Sequence, residues 1–176
     1  MSEIDLQIPT IHHKAEAENF KNEFFEAQEQ VINGSALLDQ MDYEPWLINI
    51  TNNRQENTIK SGWVVSDTFF AVNKLDNRII GIIDIRHNLN NDALKKYFGH
   101  IGYAVRPSER KKGYATKILK MGLEYAKTLH IEKVMLSCYT DNTASIKTIE
   151  RCNGKLTETK PYTDGKPLNT YWIKLK

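Results

Sequence analysis

The stretch Arg78-Ile79-Ile80-Gly81-Ile82-Ile83-Asp84-Ile85-Arg86 constrains the fold more than any other part of the chain, because five isoleucines fall within seven positions. β-Branched residues favour strands, and a half-buried strand alternates apolar with polar side chains. This run is too continuous for that, so both of its faces need cover, as in a sheet layered with helices on each side. Phe69-Phe70-Ala71-Val72 reads as a partner strand, and Asp76-Asn77 as the tight turn between the two.

The flanking segments supply the cover. Good helix formers fill 12–31, where Phe20, Phe24 and Val31 recur at spacings of four and seven. A second helix is expected from Pro45, with Trp46, Leu47 and Ile50 apolar. A strand over 100–105 stops at Pro107. Ala115, Ile118, Leu119, Gly122, Leu123, Ala126 and Leu129 then form one amphipathic stripe. Residues 133–139 read as a strand, Asp141-Asn142-Thr143 as a helix start with Ile146 and Ile149 facing inward, and Asn153-Gly154 as its end. The tail reads as a hairpin turning at Asp164-Gly165. The expected class is α+β: a mixed sheet with helices on both faces, in a single domain over 1–176 whose helical part spans about 1–60.

Composition excludes several classes. The net charge of +2 gives no global pull toward nucleic acid, and no nucleic-acid partner is expected. No apolar run approaches the ~20 residues of a membrane span, so no membrane role is expected. The opening MSEIDLQIPT lacks the basic start and apolar core of a signal peptide, and a cytoplasmic location is expected. Cys138 and Cys152 read as small buried residues. His12-His13 lacks metal-ligand spacing, and no metal is expected.

The chemistry concentrates where the third strand runs into the long helix: Tyr103-Ala104-Val105-Arg106-Pro107-Ser108-Glu109-Arg110-Lys111-Lys112-Gly113-Tyr114-Ala115-Thr116. The first N–H groups of a helix have no partner within it, and the macrodipole places positive charge there. Gly113 admits a phosphate close to the backbone, and Ala115 keeps the next turn small. Arg106, Arg110, Lys111, Lys112 and Lys117 put five cations within twelve positions. A diphosphate suits this junction better than a carboxylate. The nucleotide fingerprints G-x-x-x-x-G-K-[ST] and G-x-G-x-x-G are both absent.

Arg110-Lys111-Lys112-Gly113-Tyr114-Ala115 resembles the R/Q-x-x-G-x-G/A pyrophosphate loop of the GNAT superfamily of acetyl-CoA-dependent N-acetyltransferases. The strand before it, the strand after the long helix, and Asn142 with Ala144 and Ser145 opening the next helix strengthen the resemblance, which is close over 99–156 and weak over the first sixty residues. IDIRHNLN followed by GHIGYAVRPSERKKGYA resembles a bacterial branch of that superfamily. The resemblance implies a mostly antiparallel sheet with two splayed parallel strands, and acetyl-CoA as co-substrate. It implies that main-chain N–H groups from Lys111 through Thr116 hold the diphosphate, with the Thr116 hydroxyl in reach. Main-chain groups of Tyr103, Ala104 and Val105 would pair with the pantetheine arm, and Asn142 and Ser145 would sit against it. The acceptor would be an amine of a small molecule or a protein. A homodimer is compatible with the sequence, which specifies no interface.

The resemblance further implies direct attack of an amine on the thioester, with a group to remove the amine's proton. His100, Asp84 and His87 are the base candidates, and the sequence does not choose among them. Many superfamily members carry a Tyr seven residues after the Asn, aimed at the departing sulfur; here that position is Ile149. Tyr139 is the nearest tyrosine that could serve in its place. That departure also admits a non-catalytic acyl-CoA sensor on the same fold.

Overall fold

The computed structural model describes residues 2–176. One sheet holds four strands in chain order: β1 (Ile4–Gln7), β2 (Ser66–Asn73), β3 (Ile79–Arg86) and β4 (Ile101–Val105). The other holds three, β5 (Lys133–Tyr139), β6 (Lys155–Pro161) and β7 (Pro167–Lys174), with β7 in the middle. Every ladder within the two sheets is antiparallel. Helices α1 (Lys14–Glu26) and α2 (Tyr43–Asn52) cover one face of the first sheet. Helix α3 (Tyr114–Thr128) covers the other, with α4 (Thr143–Arg151) beside it. No helix among the described residues is long and apolar enough to cross a membrane.

The isoleucine run is buried on both faces, as its continuity requires. Ile79 and Ile82 pack with Phe20, Trp46 and Phe70 under α1 and α2. Ile80, Ile83 and Ile85 pack with Ile118, Leu119 and Ala126 of α3. Gly122 sets the depth of that contact, since a Cβ there would lie 2.4 Å from Ile83 Cδ1.

Four local expectations change. Val31 lies outside α1 and is 64% exposed, because the helix ends at Glu26 and Gln28 turns the chain with φ 61°. Helix α2 starts at Tyr43, directly after Asp42, so Pro45 is its third residue rather than its first. β1 carries no run long enough to announce a strand; it forms by pairing along β2 and burying Ile4. Residues expected as plain loop before β4 include a single π-helical turn, Leu94–Phe98.

The linker between α1 and α2 buries Ile32 and Leu38 in the core under those helices and brings its backbone against β4 at Gly34. Gly34, at φ 68°, lies so close to β4 that a Cβ would sit 2.1 Å from Gly102 O. The N-terminal helices and this linker therefore form one wall beside β4.

Candidate active site

The loop ahead of α3 is built to leave its amides bare. Lys111 (φ 62°) and Gly113 (φ 85°) are both left-handed, and Gly113 caps α3 without a side-chain acceptor. Arg110 N–H bonds to Pro107 O and Lys117 N–H to Gly113 O, while the six N–H groups between them, Lys111 through Thr116, have no acceptor among the described residues. Successive amides in such a turn form a concave anion site, reinforced here by the helix dipole. Tyr114 turns its side chain into the core, where its hydroxyl accepts from Ser2 N–H, so its amide alone faces the loop.

The five cations do not act alike. Arg106 is buried and donates to Glu16, to Glu23 (2.6 Å) and to Ile79 O. Arg110 makes a two-pronged pair with Glu29 (2.5 and 2.8 Å), donates from Nε to Val105 O, and lies over the Phe24 ring. Lys112 pairs with Glu109 (3.0 Å). Lys111 and Lys117 have no ion pair among the described residues. The first basic residue of the loop motif is thus held as a strut between the loop and the segment after α1.

β4 and β5 part beside this loop. Arg86 N–H bonds to His100 O and Arg106 N–H to Ile80 O. Antiparallel alternation then turns the N–H and C=O groups of Ile101, Tyr103 and Val105 away from β3. On the other side, Thr140 N–H bonds to Pro167 O and Leu175 N–H to Glu132 O, which turns those of Met135 and Ser137 toward β4. The facing edges meet at one isolated bridge, Gly99–Leu136, and form no ladder beyond it. An open slot results, lined by the unpaired main-chain groups of Ile101, Tyr103 and Ser137 and by Val105 N–H, and an extended amide-bearing chain can pair in it as an added strand. Ala104 belongs to the other alternation, so its main chain faces β3 and only its small side chain remains beside the slot.

At the start of α4, Asn142 Oδ1 caps the helix by accepting from Ser145 N–H (3.1 Å). Ser145 Oγ meets Tyr103 OH at 3.2 Å, linking β4 to α4, and burial pushes the Tyr103 phenol up to about 12. Ile149 is fully buried in the core, and a Cβ on Gly154 would lie 2.3 Å from its Cγ2. Replacing Ile149 with Tyr therefore overpacks the core, so turnover lost in that variant says nothing about a missing acid.

The four catalytic candidates separate. His100 is buried; its Nδ1 accepts from Met135 N–H (3.0 Å), and burial plus the Arg86 charge bring it down to about 4. Its lone pair is thus occupied. His87 Nε2 donates to Asp67 at 2.7 Å, in a cluster where Arg54 and Tyr125 also reach Asp67 on the α3 side of the sheet. Tyr139 donates to Asp164 at the tip of the β6–β7 hairpin, and burial followed by that bond pushes it up to about 12. Asp84 is the cross-strand neighbour of Gly102; it accepts from Thr68 (2.9 Å) and lies 3.4 Å from Arg86 Nε. Burial raises its pKa against the pull of Arg86. It shares the sheet face of Ile82, toward the N-terminal helices, and is the candidate on the side where Gly34 approaches β4.

Sequence reasoning missed Glu29 and the outward edge of Ser137. The period-2 pattern of β5 could have exposed the second; nothing local marks the first.

The chain matches the family model described as an acetyltransferase (GNAT) domain over residues 9–155. No curated protein matches it in sequence. Solved structures share the fold. One is yncA from Salmonella typhimurium with its cofactor acetyl-CoA, at 13% identity and TM-score 0.69 over 98% of this chain and 94% of that one. A second is the Microcin C7 self immunity acetyltransferase MccE with acetyl-CoA and AMP, at 20% identity and TM-score 0.65 over 98% and 93%. A third is a mutant form of the spermidine/spermine N-acetyltransferase SpeG from Vibrio cholerae, at 13% identity and TM-score 0.66 over 97% and 93%. The bare amide loop, the parted strands and a family model that spans most of the chain lead to one conclusion: this protein belongs to the GNAT acetyltransferase family.

Proposed function

We propose that the protein moves an acetyl group from acetyl-CoA to a primary amine by direct attack of the amine on the thioester. The observation that carries this reading is the run of six acceptor-less amides, Lys111 to Thr116, at the positive end of α3. They suit a diphosphate, with Lys111 and Lys117 as unpaired cations beside them and the Thr116 hydroxyl in the first helical turn. The pantetheine arm, which carries amides, suits the slot edge of Tyr103 and Val105, with Asn142 and Ser145 at its rim. When bound, acetyl-CoA supplies a carbonyl open to attack and a thiolate leaving group.

The chain's own residues supply position and charge. A lysine-type amine is neutral in only about one molecule in a few thousand at pH 7, so a proton must be removed. Asp84 is the best placed of the named bases, being buried, raised and on the face of the N-terminal helices, where this reading puts the acceptor. The slot-facing Val105 N–H is the donor available to charge developing on the carbonyl oxygen. A thiol of pKa near 8.5 leaves without a general acid, in keeping with Ile149 in the core and Tyr139 committed to Asp164.

SpeG and MccE share this fold under names that denote different roles, so the fold leaves the acceptor open. Acetyl-CoA at a hundredfold excess over its Kd is expected to raise the melting temperature by about 5–10 °C, with ATP, NAD and oligonucleotides inert. Free thiol should then appear with at least one member of an amine panel. No thermal shift with acetyl-CoA overturns the reading; a shift without thiol release from any amine favours a sensor.

A further inference from the structure

Among the β5 residues whose main chains face β4, Met135 is the one bonded across, and both of its partners belong to His100. His100 N–H donates to Met135 O (2.8 Å), and Met135 N–H donates to His100 Nδ1 (3.0 Å). The next slot-facing residue, Ser137, has no main-chain partner on β4. His100 also accepts from Arg86 N–H through its carbonyl (2.8 Å), and Arg86 Nη1 donates to Gly99 O (3.1 Å). Three groups of one residue thus tie β3, β4 and β5 at a single point.

The chemistry of the bond explains why pairing stops there. In a ladder between β4 and β5, Met135 N–H would reach a main-chain carbonyl, and Ser137 would pair in turn. A ring nitrogen satisfies the same donor but offers nothing further along the strand. Gly99, at φ 69°, lets the chain cross β5 so tightly that a Cβ would lie 2.2 Å from Met135 O. His100 is 7% exposed and its ring meets Trp172 edge-on at 6.3 Å, so it is held in place. Since Nδ1 accepts, the ring proton sits on Nε2.

We propose that His100 is a positioning residue whose Nδ1 ends the β4–β5 pairing at Met135 and so fixes where the slot for the pantetheine arm opens. This rests on the acetyltransferase reading, because the slot's origin matters to turnover only if a thioester arm lies in it.

Asparagine and glutamine separate this role from others. Asn places Oδ1 where His places Nδ1; Gln carries its acceptor one bond farther out. H100N should keep the KM for acetyl-CoA within about twofold of wild type. H100Q and H100A should raise it about tenfold, with kcat at saturating acetyl-CoA within about threefold. The proposal is overturned if H100Q keeps the wild-type KM, or if H100N and H100A both lose about a hundredfold in kcat, as removal of a base would do. If H100A does not fold, the Asn/Gln pair decides. Acetyl-CoA is first added to the wild type. No shift in its melting temperature sinks the acetyltransferase reading; a shift with an unchanged KM in H100Q sinks only the positioning role.

Discussion

Formal charge and local chemistry diverge most sharply at Arg106 and His100. Arg106 counts as a phosphate-side cation in the sequence, yet the fold buries it against Glu16 and Glu23. Burial alone would raise Glu23, but hydrogen bonds from Ser108 and Arg106 outweigh it and bring the carboxyl down to about 2. Its stabilisation is therefore present above its ordinary value of 4.5 and is lost as pH falls toward 2. His100, held down to about 4, favours the neutral ring; its contribution is complete above 6.5 and is lost as pH falls toward 4. His13, lowered by burial and by His12, adds the same sign. The melting temperature should fall from pH 7 to pH 3. H100N should reduce the part between 6.5 and 4, and Glu23→Gln the part below 4.5; calorimetry across that range checks both. A profile unchanged by either substitution would contradict the assigned environments.

At the scale of elements, α1 and the segment after it brace the anion loop. Glu16 and Glu23 hold Arg106, Glu29 holds Arg110, and Ser108 N–H donates to Glu23. The Arg110–Glu29 pair is about 40% exposed, so it contributes about 0–1 kcal/mol to stability. Its value is in orientation: Arg110 Nε also holds Val105 O, at the end of the slot. E29Q should weaken acetyl-CoA binding about threefold to tenfold, as R110A should, with little change in melting temperature. Titration calorimetry distinguishes this from a phosphate-ligand role, in which freeing Arg110 from Glu29 would tighten binding. The strut was not legible in the sequence, because Glu29 and Arg110 lie 81 residues apart and pair only in the folded chain. The helix stripe of α3, by contrast, was legible, since its period is local.

Across the whole molecule, two antiparallel sheets touch at one crossing and diverge. The alternation in β4 makes a direct prediction for hydrogen exchange. The Gly102 and Ala104 amides, turned toward β3, should be protected with or without ligand. Those of Tyr103 and Val105 should exchange freely alone and slow by about tenfold or more when acetyl-CoA is added. Equal protection in the two sets would mean that nothing pairs in the slot.

Local physics let the sequence determine much of this. An unbroken apolar run fixed the two-faced β3, helical period the stripe of α3, and strand-forming residues the span of β5; turn and cap chemistry placed Asn142 and Gly113. Such features depend on neighbours within a few residues. Tertiary structure alone decided which cations remain unpaired beside the loop, which of His100, Asp84, His87 and Tyr139 lies on the face of the N-terminal helices, and where β4 leaves β5. Each of these turns on partners from distant segments, whose distances are set by how helices and sheets stack, and no periodicity along the chain encodes that stacking.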